Sequence, residues 1–134
     1  MIEGLPEFFA RTVAAGDEIT DARERVIVYS QVVDRRNLYM GVSRLHEHMR
    51  RCWGYRDGTL ADCTADDIER AFYVQEGKPP IPKIFFAIAT VNEDRVLVLL
   101  DIQYSAYFES TDGFRYVLQS DQNGWRVISR TQVY

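Results

Sequence analysis

A chain of 134 residues, 46% hydrophobic and 13% aromatic, can fill one core, so a single domain spanning 1–134 is expected. Twenty acidic against sixteen basic residues leave a formal net charge of −4, which argues against wholesale binding to a polyanion; nucleic acid is not implied. No apolar run approaches the ~20 residues of a membrane span, and MIEGLPEFFARTV lacks the basic region and small-residue cleavage site of a signal peptide, so a cytoplasmic protein without a membrane partner is expected.

Cys52 and Cys63 are the only cysteines, too few for a disulfide framework, and a reduced pair is the expected state inside a cell. Leu5, Phe8, Phe9, Thr12 and Val13 recur at helical spacing, Pro6 suits a first turn and Gly16 can end the segment in a left-handed conformation. Asp21 with Glu24 resembles a capping box ahead of Val26 to Val33, which favours a helix there, with a strand as the competitor because the run is β-branched. Asn37 can cap a further helical segment with Leu38, Val42, Leu45 and Met49 in one stripe. Between Cys52 and Asp62 the periodicity fails, and Asp57-Gly58 is a turn signal joining two short strands. Thr64 and Asp67 offer an N-terminal cap for a helix striped by Ile68, Ala71, Phe72 and Gln75, ended by Gly77 and PPIP.

Residues 83–109 read KIFFAIATV, NED, RVLVLLDIQYSAYFE, the pattern of a long hairpin with either Glu93-Asp94 as its turn or a loop from Asn92 to Arg95. With Val91 opposite Val96, one face holds Phe85, Ala87, Ala89 and Val91 with Val96, Val98, Leu100, Ile102, Tyr104, Ala106 and Phe108; this is the expected core face. The other holds Ile84, Phe86 and Ile88 with Leu97, Leu99, Asp101 and Gln103, and is half apolar. Face matching favours a three-residue loop over Thr111 to Gly113, with Phe108 opposite Tyr116, and a two-residue turn at Asn123-Gly124, with Val127 opposite Ser120. A four-stranded antiparallel meander follows.

Helices, a short hairpin, a helix, then four long strands ending in NGWRVISRTQVY is an order that resembles the nuclear transport factor two-like superfamily, which includes ketosteroid isomerases, scytalone dehydratase and SnoaL-like proteins. The residues that carry it are the DRRNL stretch, DDIERAF before the sheet, and Gly124-Trp125-Arg126-Val127 entering the last strand. The resemblance implies an α+β fold in which N-terminal helices pack on a curved antiparallel sheet, forming a cone that holds a small apolar ligand. It does not fix a chemistry.

His46 and His48 point to different sides of a helix, and His48, Cys52 and Cys63 make a weak ligand set, so no metal is expected. Arg44, Arg50, Arg51 and Arg56, diluted by Glu47 and Asp57, read as a solvated surface rather than an anion site. The expected core-facing positions of the last strands carry no Asp, Glu or His, only hydroxyls such as Tyr104, Tyr116 and Ser120, so no catalytic acid or base is assigned there; Asp34, His46 and His48 are left as candidates. Tyr29, Phe72, Tyr104, Phe108, Tyr116 and Trp125 are the candidate lining of a pocket for an apolar or aromatic small molecule, without a cofactor. The alternatives are an isomerase, dehydratase or epoxide hydrolase of the same superfamily, and a protein-interaction or inhibitor module acting through the outer sheet face. Ile84, Phe86, Ile88, Leu97 and Leu99 form the expected homodimer patch on that face.

Overall fold

The computed structural model describes residues 2–16, 19, 23–38, 49–73, 76–77, 79–104 and 112–134. Seven strands form one sheet in the order β3-β2-β1-β4-β5-β6-β7. They are β1 (Glu24–Val33), β2 (Arg51–Arg56), β3 (Thr59–Asp62), β4 (Lys83–Asn92), β5 (Arg95–Gln103), β6 (Asp112–Asp121) and β7 (Gly124–Gln132). The β1–β4 pair is parallel and the other pairs antiparallel, so the α+β class and the four-stranded meander at the end of the chain hold. Helix α1 (Leu5–Phe9) continues as a π-helical turn, Ala10–Ala14, on one face of the sheet, and α2 (Ala65–Phe72) lies on the other. Among the described residues no helix is long and apolar enough to cross a membrane.

Val26 to Val33 is a strand, not the helix expected from Asp21 and Glu24. The reason is burial on two sides: Ile27 and Tyr29 join the core under α1, while Val26 and Val28 join the core under α2. A continuous β-branched run suits a central strand covered on both faces. Asp34, expected at the end of that helix, is an exposed cap whose side chain accepts from the Arg36 amide at a 3-10 turn, Arg35–Asn37. The helical segment expected over Leu38 to Met49 falls mostly outside the described residues. At the N-terminus Gly4, at φ 79°, takes the left-handed conformation.

The central hairpin departs from its expected register by one residue. An irregularity between Thr90 and Asn92 leaves Val91 bulged, so Ile84 faces Ile102, Phe86 faces Leu100 and Ile88 faces Val98. These six residues and Val96 form a charge-free face under α1. Phe85, Ala87, Ala89, Leu97 and Leu99 look the other way, toward α2. The expected five-residue dimer patch is therefore not one surface: Ile84, Phe86 and Ile88 are fully buried on one side, and Leu97 and Leu99 pack on the opposite side. The β5–β6 register also differs from the expected one: Tyr116 pairs with Val98 and Leu118 with Val96, and Asp112 and Gly113, expected in the loop, belong to β6. In the last hairpin Asp121 pairs with Gly124 and Leu118 with Val127, so the turn residues are Gln122 and Asn123 rather than Asn123-Gly124.

The core under α1 is aromatic. The Phe9 ring sits 4.7 Å from Phe86 and 5.3 Å, edge on, from Tyr116, and Trp53 stacks on Phe86 at 6.3 Å. Arg25, nearly fully buried, donates from Nη2 to the Ala15 carbonyl at 2.6 Å, satisfying an orphan oxygen at the end of the π turn, and its guanidinium lies 4.2 Å over the Tyr55 ring. On the opposite face Thr64 and Asp67 make the expected capping box. Asp67 also binds Arg56 and rests on Gly54, where an added Cβ would lie 2.8 Å from its Oδ2.

Asp57 and Gly58, at φ 47° and 88°, make the expected tight turn between β2 and β3. At the open end of this hairpin Cys52 and Cys63 form a disulfide, which corrects the reduced pair expected from the sequence. Spacing of 11 residues says nothing about pairing; the hairpin register brings the two cysteines together, next to the Trp53–Asp62 pair.

Two stability measurements check this architecture. Phe9→Ala should cost about 3–5 kcal/mol, the usual loss for a fully buried ring, whereas Phe8→Ala should cost clearly less in the same urea titration. Replacing both cysteines by serine should cost about 3 kcal/mol, the chain-entropy value for so short a loop, and adding a reductant should destabilise the wild type while leaving the double variant unchanged.

Candidate functional site

The six aromatic residues expected to line one pocket are distributed over the molecule. Tyr29 and Tyr116 are buried, and Trp125 is partly buried, on the α1 face, where Phe9 and Trp53 pack among them. Phe72 is on the α2 face, 6.1 Å from Phe85. Tyr104 is 39% exposed. Phe108 lies outside the described residues, as do His46 and His48. Burial pushes the Tyr29 phenol up, with the Arg50 charge opposing it.

A polar constellation that the expected register had scattered is assembled on the α2 face. The Val91 bulge places Lys83 across from Gln103 and Asp101 across from Phe85, and all three polar residues are buried. Gln103 Nε2 donates to Asp101 Oδ2 at 3.0 Å, and the Tyr134 hydroxyl donates to the other carboxylate oxygen. Tyr134 reaches this position because residue 113 is glycine: a Cβ there would overlap the phenol ring, and Val133 N donates to the Gly113 carbonyl at 2.9 Å. Lys83 Nζ lies 5.5 Å from the centre of the Phe72 ring. Burial lowers its pKa to about 8. The group is closed over by side chains, so its plain reading is a structural one, a buried polar layer beneath α2.

That pKa gives a signed prediction. An unfolded lysine titrates near 10.5, so between about 8 and 10.5 the unfolded chain holds a proton that the folded chain has released, and stability rises with pH in that window. The contribution of this group is present above the window and lost as pH falls through about 8. The unfolding free energy of the wild type minus that of Lys83→Met should climb from pH 8 to 10.5 and be flat below it; a difference that stays level across the window would contradict the assignment.

A shallow cleft of about 350 Å³ opens beside the disulfide, lined by Met49, Arg50, Arg51, Cys52, Asp62, Cys63 and Ile68. Of its two arginines, Arg51 is engaged: it binds Asp62 at 2.8 Å and reaches Glu7 at 3.5 Å. Among the described residues no cluster of three His, Cys, Asp or Glu side chains has the arrangement of a metal site.

The two edges of the sheet are unlike. β3 is four residues long and closed at one end by the disulfide, with Asp62 exposed beside it. β7 is nine residues long, and every residue except the half-buried Trp125 is exposed. Val127 and Ile128 are 40% and 37% exposed, and among the described residues β7 is hydrogen-bonded to β6 alone. Its polar outline was visible in WRVISRTQ, where polar residues occupy both alternating sets, a pattern of edge strands; the expected pairing had instead directed Val127 and Ser129 into a ligand-lined interior.

Compared with known protein families, with curated proteins and with solved structures, the chain matches none.

Proposed function

We propose that this protein is a protein-interaction module that receives an extended segment of another chain as an additional strand along β7. The observation that carries this reading is the nine-residue, almost wholly exposed outer edge. An edge of this length presents a row of backbone donors and acceptors, and monomeric proteins usually shorten, cover or twist such edges away. β-strand addition uses that row for affinity and the alternating side chains for choice of partner. The reading is preferred to a small-molecule pocket between sheet and helix because Phe9, Trp53 and Phe86 occupy that space.

The nuclear transport factor two-like relationship and its cone-shaped sheet stand within this proposal on the sequence resemblance, and the interaction reading does not require either. Cytoplasmic placement is likewise a proposal, with the Cys52–Cys63 disulfide against it, since such bonds are uncommon in reducing compartments.

The test is a panel of nine-residue strand-forming peptides, matched in length to β7, titrated against the protein. For a peptide that binds, N-methylation of one alternate set of its backbone nitrogens should abolish binding while methylation of the other set spares it, because only one set faces the edge. Amide exchange should slow in β7 and not in β3. Binding that tolerates methylation of either set, or no binding by any peptide, would remove the proposal.

A further inference from the structure

Resting on the reading of β7 as a receiving edge, we infer that its partner is an acidic extended segment, with apolar residues flanking a carboxylate, rather than a second copy of this chain. The charge on the edge supports this first. From Gly124 to Tyr134 the sequence GWRVISRTQVY contains Arg126 and Arg130 and no acidic residue, although the whole chain carries a net charge of −4. Exposed Arg115 stands on the adjoining strand across from Thr131. Arg126 is held loosely by Asp121 at 3.5 Å, with 62% of its side chain exposed. Arg130 uses Nε on the Tyr116 hydroxyl at 3.1 Å and lies 4.2 Å over the Phe114 ring, which fixes the guanidinium plane at the edge of the sheet. Its terminal nitrogens carry four further N–H donors in the fork geometry that suits a carboxylate.

The order of side chains supplies the rest of the pattern. Arg126 is flanked by Trp125 and Val127, which cross to Ser120 and Leu118 on β6. The register shifts between Val117 and Leu118 and leaves Ile128 without a partner on β6, so Arg126 shares a face with Gln119 whereas Arg130 lies on the other face with Tyr116. An apolar–acidic–apolar triplet matches Trp125 to Val127, and an acid for Arg130 belongs to the other alternating set of the incoming strand. A second copy does not fit. Self-pairing along β7 would bring together two edges that each carry Arg126 and Arg130 and no acidic residue, with the unpaired Ile128 at the centre of the ladder. Bringing like charges together is unfavourable.

The test uses three nine-residue peptides, the length of β7, in which valine alternates with glutamate, glutamine or lysine, read by fluorescence anisotropy of a dye-labelled peptide. The glutamate peptide should bind roughly three- to fivefold tighter than the glutamine peptide, as one favourable cross-strand charge pair allows, since an alternating strand keeps its acids on one face, and the lysine peptide weakest. The preference should weaken with added salt. In the Arg126→Glu/Arg130→Glu variant it should invert, with the lysine peptide now the best ligand; that gain also reports a folded edge. Equal binding of the glutamate and glutamine peptides would overturn the acidic partner while leaving β7 as a receiving edge. Failure of all three, with no other strand-forming peptide binding, would overturn the edge itself. A dimer in sedimentation that the double variant abolishes would assign β7 to a second copy and overturn this inference.

Discussion

The β4–β5 register, set by the bulged Val91, is the constraint on which the rest of the structure depends. One residue inserted between Thr90 and Asn92 aligns Ile84, Phe86 and Ile88 with Ile102, Leu100 and Val98, and so makes one side of the central sheet wholly apolar. A regular hairpin would have set those residues beside Asp101 and Gln103. Because strand side chains alternate, a single inserted residue moves every later side chain to the opposite face. Both helices then have a surface to cover.

Each helix is fixed to its face by a different device. On the apolar side Phe9 packs between Phe86 and Tyr116, and Arg25 holds the carbonyl that ends the π turn. On the other side the absence of a side chain at Gly54 lets the capping Asp67 of α2 come against β2, where Arg56 binds it. Glu24 extends this contact, meeting Arg70 at 3.2 Å and Arg56 at 3.9 Å. The ion pairs are partly exposed, so their worth is small beside the burial of Val26, Val28, Phe85 and Ala71.

The same register gathers Lys83, Asp101 and Gln103 under α2, where Tyr134 completes the group. Buried polar groups of this kind are costly to desolvate, and their effect is on specificity as much as on stability. A slip of one residue in β5 would carry Asp101 to the opposite face, among Ile84, Phe86 and Ile88. The edges show a comparable division. The β2–β3 hairpin is short and covalently closed, whereas β7 is long and open on its outer side among the described residues. The two edges therefore differ in how much backbone they leave unpaired among the described residues.

By itself the sequence determined the local elements that depend on near neighbours. The Thr64–Asp67 cap, the Asp57-Gly58 turn, the first helix and the long strands of the final meander all follow from short-range chemistry, and the structure contains each of them. It also identified the apolar set on β5, because alternation alone assigns Val96, Val98, Leu100 and Ile102 to one side. Tertiary structure decided which strands those sides face. The β-branched run at Val26 became a strand because it is covered twice, a fact absent from its own periodicity. Tyr116 took Val98 rather than Phe108 as its partner, a shift that keeps every face unchanged and is therefore invisible to face matching. The open edge at β7 is likewise a consequence of strand order, since contacts between residues far apart in the chain appear only when the sheet is assembled, whereas the disulfide follows from the register of the β2–β3 hairpin.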